Sequence, residues 1–282
     1  MIGLGMAATE GLRLQVKFWG VRGSTPTPQI ENLVHGGNTP CLEIRGPNNE
    51  IIIIDGGTGL RQLGNSLVRE FPEGKLPVNF LLTHFHWDHI QGIPFFAPLY
   101  DPRTEVTFYS LSNSLQDVLE SQMTVPFFPV KFDSILSKRD FVRVANGPVK
   151  CGAVSIYPFA MNHPQGCIGY RIECGGAVVA YASDLEHGNK ELDRLLRDSI
   201  QGADILIYDS QYTPEEYESR KGWGHSTWVE ATRAAKDGEV NQLILFHHEP
   251  THHDQLMLEI TRKAQGLFAN TLAAREGLVL TL

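Results

Sequence analysis

The chain of 282 residues is 42% hydrophobic and 20% charged, as in an ordinary globular protein with a sizeable core. Its net charge of −8 argues against broad nucleic-acid binding, which relies on a basic surface. No apolar run approaches the ~20 residues that cross a bilayer, so we expect no membrane association and a cytoplasmic location. Residues 1–12 lack the pattern of a signal peptide, and we expect a loose tail there, followed by a single domain over residues 13–282.

The chain has four cysteines, and their spacing argues against a metal or disulfide framework. They are Cys41, Cys151, Cys167 and Cys174. None belongs to a C-x-x-C pair, and none stands within the histidine motifs described below. We therefore expect free, mostly buried thiols in a reducing compartment.

The first part of the chain predicts strands followed by a helix. Apolar residues alternate with polar ones over residues 12–18, which indicates a half-buried strand. Residues 20–38 form a long loop rich in Gly, Pro, Ser and Thr, of the kind that often lines sites. Two apolar runs, Cys41–Arg45 and Ile51–Ile54, predict a hairpin, and an apolar stripe over residues 60–71 predicts a helix.

The rest of the chain predicts two sets of strands, each interleaved with helices, which indicates an α/β protein. Strands are predicted at residues 78–83, 105–109, 203–208, 242–246 and 278–282, with three more between 154 and 182. Helices are predicted at residues 113–123, 189–200, 226–236 and 254–263. Residues 93–147 are less regular. Their apolar piece 125–129 could cover a site, form a homodimer interface or belong to the core.

The densest cluster of chemically active residues follows the strand at residues 78–83. It reads His84-Phe85-His86-Trp87-Asp88-His89. Buried imidazoles and carboxylates cost free energy unless they are paired or metal-bound, and this ligand set suits Zn, Mn or Fe. Side chains alternate along an extended segment, so His84 and His86 point to one side. Asp88 and His89, on the turn that follows, could face a second ion, since paired ions lie about 3.5–4 Å apart in two-metal hydrolases.

This motif resembles the signature of the metallo-β-lactamase fold superfamily. Residues 18–26, 36–39 and 55–59 resemble the phosphodiesterase branch of that superfamily. Further motifs follow in the expected order: Asn162-His163-Pro164, Ser183-Asp184, Gly224-His225-Ser226-Thr227 and Phe246-His247-His248. The resemblance runs over residues 16–253 and is closest to the phosphoribosyl cyclic phosphate phosphodiesterases and the tRNA 3′-processing endonucleases. It implies an αββα sandwich of two mixed β-sheets flanked by helices.

The resemblance also implies a dinuclear metal centre. The implied ligands of its two divalent ions are His84, His86, His163, Asp88, His89, Asp184 and His247. Asp184 would bridge both ions. The last ligand follows a predicted strand, and alignment of the motif favours His247 over His248. Zn²⁺ is the favoured ion, and Mn²⁺ and Fe²⁺ also fit the ligand types.

Other polar residues could serve the chemistry without binding an ion. By the resemblance, His225 lies near the metals, where it could donate a proton to the leaving oxygen or stabilise charge on the phosphoryl group. Asp55 could close a turn or orient a metal-bound histidine through its second ring nitrogen. Asp209, Gln211 and Tyr212 follow a strand and could support the site. The predicted catalytic residues are His225, Asp88 and Asp184.

The function that the resemblance implies is hydrolysis of a phosphodiester. Two divalent ions would share a water and lower its pKa toward about 7, and the resulting bridging hydroxide would attack phosphorus. The favoured substrate is a small anionic phosphodiester, either a cyclic phosphate or a cyclic nucleotide. An RNA endonuclease acting at tRNA 3′ ends is an alternative with the same chemistry, but the sequence has no obvious basic clamping arm. Two further alternatives are a carboxylic ester or thioester hydrolase and a non-catalytic metal-binding sensor module.

Overall fold

The computed structural model describes residues 14–144 and 147–282. The predicted tail, residues 1–12, lies outside these ranges, and the single domain over residues 13–282 stays a prediction. The strands are β1 (Gln15–Gly20), β2 (Cys41–Arg45), β3 (Ile51–Ile54), β4 (Leu76–Leu81), β5 (Thr104–Ser110), β6 (Lys138–Arg143), β7 (Val149–Cys151), β8 (Val154–Met161), β9 (Cys167–Cys174), β10 (Ala177–Ala182), β11 (Ile205–Asp209), β12 (Gln242–Phe246), β13 (Thr271–Ala273) and β14 (Val279–Thr281).

Helices connect these strands on the outside of the molecule. The α-helices are α1 (Leu60–Glu70), α2 (Trp87–Ile90), α3 (Leu115–Gln122), α4 (Lys190–Ile200), α5 (Pro214–Tyr217), α6 (Trp228–Asp237) and α7 (Asp254–Leu267). Single 3₁₀ turns occur at Ile30–Asn32, Ile93–Phe95, Ala97–Tyr100 and Phe132–Ser134. None of the helices within residues 14–144 and 147–282 combines the length and the hydropathy needed to cross a membrane.

The strands form two seven-stranded mixed sheets. The first has the order β14-β1-β2-β3-β4-β5-β6, and the second has the order β13-β12-β11-β10-β9-β8-β7. In the first sheet the neighbours from β14 to β3 pair antiparallel, and those from β3 to β6 pair parallel. The second sheet is arranged likewise, antiparallel from β7 to β10 and parallel from β10 to β13. This is the mixed-sheet architecture that the sequence resemblance predicts.

Three apolar cores hold four layers together. The central core lies between the sheets and includes Phe18, Tyr181 and Phe246. One outer core packs helices α1 and α3 on the first sheet, and the other packs α4, α6 and α7 on the second sheet. The four isoleucines of β3 are at most 2% exposed, because alternate ones enter the central core and the outer core.

Most predicted elements are present, and their bounds shift by a few residues. Strands β2, β3 and β12 match their predicted ranges. Strand β6 was missed because its sequence, KRDFVR, has only two apolar residues and lies at a sheet edge. In the apolar piece 125–129, Val125 and Phe127 are each 77% exposed, so core is the wrong prediction for these two residues. All four cysteines are free and buried, as expected.

The parallel strands deliver the polar residues of the motifs to one end of the sandwich. Asp55 follows β3, Asp184 comes two residues after β10, and His247 follows β12. All three have left-handed backbone conformations, with φ of 60°, 63° and 61°. Such angles are strained for residues other than glycine and occur where the surrounding structure holds a functional side chain in place. The backbone at these strand ends therefore indicates a functional site.

Candidate metal centre

A first group of three imidazoles lies at the carboxyl end of β4. His84 and His86 come from the loop after β4, and His163 comes from the loop after β8. The His163 Nε2 and His86 Nδ1 atoms are 3.2 Å apart, and the ring centres of His84 lie 4.5 Å from His86 and 4.8 Å from His163. The nitrogen atoms are close enough to bind one ion together. Three imidazoles with an open fourth position form a common catalytic zinc site.

A second group contains two imidazoles and two carboxylates, from Asp88, His89, Asp184 and His247. The Nε2 atoms of His89 and His247 are 3.4 Å apart, and Asp88 Oδ2 lies 3.4 Å from the first and 3.2 Å from the second. Asp88 and His89 stand on the single helical turn of α2, where the sequence predicted a turn. The structure therefore brings together all seven residues that the resemblance implies as ligands.

Asp184 lies between the two groups. Its Oδ2 is 3.2 Å from His89 Nε2, and its Oδ1 is 3.2 Å from His247 Nε2 and 3.9 Å from His84 Nε2. A carboxylate in this position can contact an ion in each group. Helix α4 begins only at Lys190, with Asn189 as its N-cap, so Asp184 does not cap that helix.

The hydrogen bonds of the imidazoles leave one ring nitrogen of each facing the cluster. His89 Nδ1–H donates to Asp55 Oδ2 (2.9 Å), His247 Nδ1–H donates to Gln211 Oε1 (2.9 Å), and His163 Nδ1–H donates to the Gly224 carbonyl (2.8 Å). In the neutral form of each of these rings, Nε2 is the lone-pair nitrogen. Oxygen partners of this kind fix the tautomer of metal-binding histidines.

The first group completes this pattern. His86 Nε2 contacts Gln165 Oε1 at 3.0 Å, which leaves Nδ1 toward the cluster. His84 Nδ1 contacts Thr83 Oγ1 at 3.0 Å, and that hydroxyl can donate in turn to Asp55. His84 Nε2 is buried without a hydrogen-bond partner in the described part of the chain, which costs free energy unless an ion binds it. The residues therefore fit two divalent ions.

The choice between His247 and His248 is decided by the direction of the side chains. His247 joins the second group, while His248 turns away and donates Nε2–H to the Ala274 carbonyl at 2.8 Å. Adjacent residues at a strand end point to opposite sides, and the left-handed backbone at His247 aims its ring at the cluster. Of the two histidines, His247 is thus the one that lies among side chains that could hold an ion.

His225 lies beside the cluster and is held by Asp209. His225 Nδ1 is 2.8 Å from Asp209 Oδ2, which also accepts from the Asp184 backbone N–H at 3.0 Å. Asp209 Oδ1 accepts from the backbone N–H groups of Gln211 and Ser226 at 3.1 and 3.2 Å. A carboxylate that accepts four hydrogen bonds has no lone pair left for an ion. Asp209 is therefore an orienting group, although its atoms lie close enough to the cluster to count among candidate ligands.

The pKa values of the histidines shift in opposite directions in the two groups. Burial lowers the pKa of His84 well below its usual value, and His89 adds to this effect. Burial alone would also lower the pKa of His247, but Asp184 and Asp88 raise it to about 9. The pKa of Asp88 is held well below its usual range by His89 and His247, against the effect of burial. An ion entering the second group therefore replaces protons, which couples metal binding to pH.

Glu186, in the loop after β10, supports the backbone beside His163 and His225, and the sequence did not indicate this residue. The Glu186 carboxylate accepts from the backbone N–H groups of Gly222 and Gly224 and from the Tyr217 hydroxyl. Gly224 has φ of +89°, and a Cβ there would collide with the His163 ring, so only glycine fits. No sequence motif surrounds Glu186 that would indicate a role for it. Its role depends on contacts between loops distant in sequence.

Two depressions open beside His86. The open depression, bounded by Ser24, Phe85, His86, Trp87, Asp88, Asp184 and His225, has a volume of about 380 Å³. The side pocket has a volume of about 540 Å³ and is lined by residues 83–86, 110–112, 160–161, 164–167 and Leu192. Ser24 also donates its backbone N–H to Asp88 Oδ2 at 2.8 Å, which places the long loop 20–38 at the site, as predicted.

The fold and the geometry of the site define a class of protein that can hold two metal ions between two β-sheets. A family model described as the Beta-lactamase superfamily domain matches residues 50–248, and the chain belongs to this superfamily. The family and the αββα fold predicted from the sequence are both confirmed.

Two proteins of similar sequence are named ribonuclease Z. The chain is 24% identical over 289 residues to ribonuclease Z from Lactococcus lactis subsp. cremoris (strain SK11), covering 84% of this chain and 91% of the relative. It is 29% identical over 130 residues to ribonuclease Z from Lactococcus lactis subsp. lactis (strain IL1403), covering 46% of this chain and 40% of that relative.

Solved structures of the same fold match nearly the whole chain. The metallo-β-lactamase fold protein YhfI from Bacillus subtilis has a TM-score of 0.73 and 20% identity, covering 96% of this chain and 100% of that one. A diphosphatase from the PhnP family has a TM-score of 0.71 and 20% identity, with coverage of 96% and 97%. The short form of human tRNase Z has a TM-score of 0.68 and 16% identity, with coverage of 94% and 98%. At these identities the likeness concerns the fold.

Proposed function

We propose that this protein is a dinuclear metal-dependent phosphodiesterase that hydrolyses a small cyclic phosphate or cyclic nucleotide. The observation that carries the proposal is the arrangement of the five imidazoles of the two groups. Each has one ring nitrogen bound to an oxygen or, for His84, to a hydroxyl that can donate onward, and the other nitrogen directed into the cluster. A cluster that only stabilises the fold would not require five ring nitrogens directed at two common positions.

The metal ligands in this proposal are His84, His86 and His163 for one ion and Asp88, His89 and His247 for the other, with Asp184 shared. Two divalent ions held by these residues, which we expect to be Zn²⁺, with Mn²⁺ or Fe²⁺ as alternatives, would activate a water as nucleophile and would offset charge on the phosphoryl oxygens. Asp88 and Asp184 act by placing the ions. Their negative charges also reduce repulsion between two cations held close together.

His225 is the proton donor in this proposal. Its Nδ1–H is committed to Asp209, so Nε2 is the ring nitrogen that a substrate in the open depression can reach. Protonation of the leaving oxygen by an imidazole contributes typically about 10²–10⁴-fold to a reaction. Asp209 serves this step by orienting the ring.

The relatives support the class of reaction, a metal-dependent hydrolysis of phosphodiesters. Ribonuclease Z and the diphosphatase of the PhnP family share the fold and are named for cleaving phosphate bonds. The ribonuclease names also favour a second candidate substrate, RNA. Against RNA stands the net charge of −8, because nucleic-acid affinity depends on basic groups that neutralise phosphates.

The first experiment is turnover of bis(p-nitrophenyl) phosphate by protein reconstituted with Zn²⁺ or Mn²⁺, with Asp184→Ala as the control. We expect turnover by the wild-type protein and none by the variant, together with loss of bound metal. Absence of turnover despite two bound ions per chain would contradict the proposal and favour an ester hydrolase or a metal-binding sensor module. Cyclic phosphates, cyclic nucleotides and a tRNA precursor are then compared by kcat/KM.

A further inference from the structure

We propose that the side pocket binds an uncharged, aryl- or nucleobase-sized group carried by the part of the substrate that stays esterified to phosphorus after cleavage, so that the protein selects phosphodiesters with one such apolar arm. This inference rests on the proposed phosphodiesterase function and adds the class of substrate to it. It follows from the position of the pocket, the chemistry of its wall and the absence there of a proton donor.

The side pocket adjoins the place where phosphorus would sit. It shares Phe85 and His86 with the open depression, which Asp88, Asp184 and His225 also line. A phosphodiester held over the candidate ligands can therefore extend one substituent past His86. The pocket volume of about 540 Å³ falls within the range of about 300–1,000 Å³ that is typical of small-molecule sites.

The wall of the pocket is mostly apolar and carries no formal charge apart from its histidines. Leu111, Met161 and Leu192 supply aliphatic surface, and Ser110, Ser112 and Gln165 supply uncharged polar groups. No Lys, Arg, Asp or Glu stands among the lining residues that the structure describes. A second phosphate or a carboxylate would lose its hydration there without gaining a partner, whereas an apolar ring gains free energy by leaving water.

Among the lining residues that the structure describes, no imidazole has a nitrogen free to protonate a leaving oxygen. His84 and His86 have one ring nitrogen hydrogen-bonded and the other directed into the cluster. The proposed donor, His225, lines the open depression instead. The leaving group therefore departs through the open depression, and the arm in the side pocket is the one that remains bonded to phosphorus.

The test uses three diesters that release the same leaving group. They are p-nitrophenyl phosphates whose second ester group is methyl, phenyl or 4-carboxyphenyl. In each case a P–O bond to the oxygen of water forms and the P–O bond to p-nitrophenolate breaks. The nitrophenolate leaves as an anion, so the chemistry is constant and only the retained arm differs. We expect wild-type kcat/KM to be at least about tenfold higher for phenyl than for methyl, comparable to hydrophobic discrimination in other pockets.

Two variants on helix α4 locate the effect. Leu192 lines the side pocket, whereas Leu195, on the same helix and 38% exposed, does not. L192R introduces a cation into the pocket, and L195R introduces the same cation outside it. We expect L192R to lose the preference for phenyl and to gain on the 4-carboxyphenyl diester, while L195R behaves like the wild-type protein. Both variants keep every candidate metal ligand, and the metal content of each variant reports whether the centre is intact.

The outcomes separate this inference from the proposed function. If metal-loaded wild-type protein hydrolyses none of the three diesters, the phosphodiesterase proposal itself fails. If it hydrolyses all three with equal kcat/KM, or if L192R and L195R change the preference alike, the function stands and the assignment of the side pocket is wrong. A preference for phenyl that is lost only in L192R supports the assignment.

Discussion

The carboxylate of Glu186 accepts a hydrogen bond from the backbone N–H of Gly224 over 3.0 Å. The Gly224 carbonyl in turn accepts from His163 Nδ1–H, and the next residue in the chain is His225. Asn162, just before His163, also exchanges two hydrogen bonds with Glu186, one from each residue to the backbone carbonyl of the other. The partly buried loop that carries Glu186 thus contacts the residues next to a proposed metal ligand, His163, and the proposed proton donor, His225.

We predict that Glu186→Gln weakens metal binding and turnover together. The NH₂ of the amide is a donor and cannot accept from the N–H groups of Gly222 and Gly224, as the replaced carboxylate oxygen does. The loop therefore becomes less ordered, and the Gly224 carbonyl no longer holds the His163 ring in place. Partners one step removed from a metal typically change affinity by about 10–100-fold, and we expect the lower end of this range. Competition with a zinc chelator measures the affinity. Glu191→Gln, an exposed position on α4, is the matched control, and equal affinities for the two variants would contradict the prediction.

Asp55→Asn should weaken the second ion selectively. Asp55 accepts from His89 Nδ1–H and also from Thr83 and Tyr181, and an amide cannot stabilise the ring as a carboxylate does. We expect the affinity for one of two ions to fall about 10–100-fold while the first ion binds nearly as before. Metal titration followed by isothermal calorimetry resolves the two steps. Asp117→Asn on the exposed face of α3 is the control, and a uniform loss of both ions would count against the role.

The effect of His225→Ala should depend on the leaving group. A proton donor matters little when p-nitrophenolate leaves as an anion and matters most when an alcohol of high pKa leaves. We therefore expect a small loss of kcat with p-nitrophenyl esters and a loss of about 10²-fold or more with a cyclic nucleotide, with two ions still bound. Equal losses on both substrates would indicate that His225 acts on charge at phosphorus instead.

Acid should destabilise the fold in part through His248. Burial, reinforced by Arg22 and His35, lowers the pKa of His248 well below its usual 6.5. Below that value the unfolded chain takes up a proton that the folded chain does not, so stability falls as pH decreases. The slope for one such group is at most about 1.4 kcal/mol per pH unit.

His248→Gln tests this contribution, because the glutamine amide can still donate to the Ala274 carbonyl but does not titrate. Urea unfolding of both proteins in chelator is compared at pH 7.5 and 5.0. We expect the variant to lose less stability than the wild-type protein over this interval. Parallel loss in the two proteins would show that His248 is not a source of the acid sensitivity.

The local motif could be predicted from sequence because its evidence is local. Three imidazoles and a carboxylate within six residues indicate a metal site, and the alternation of an extended segment places His84 and His86 on one side. His163, Asp184 and His247 are isolated in sequence, and only the family resemblance joined them to the motif. The structure brings them together because parallel strands end at a common edge.

What could not be predicted depends on single-residue geometry and on contacts between loops. A strand boundary that moves by one residue exchanges His247 with His248, and the deciding left-handed backbone at His247 has no sequence signal. Strand β6 is polar and pairs only at the edge, so periodicity missed it. Glu186 contacts residues more than thirty positions away.

The candidate ligands are divided between the two sheets. His84, His86, Asp88 and His89 come from the first sheet, and His163, Asp184 and His247 come from the second. Each ion would therefore be held from both sides, so that it acts as a clamp across the interior of the sandwich. Metal affinity then depends on how stably the two sheets pack against each other. A cavity at Phe246 in the central core would lower metal affinity without altering a ligand, and excess metal would restore the folded population by mass action.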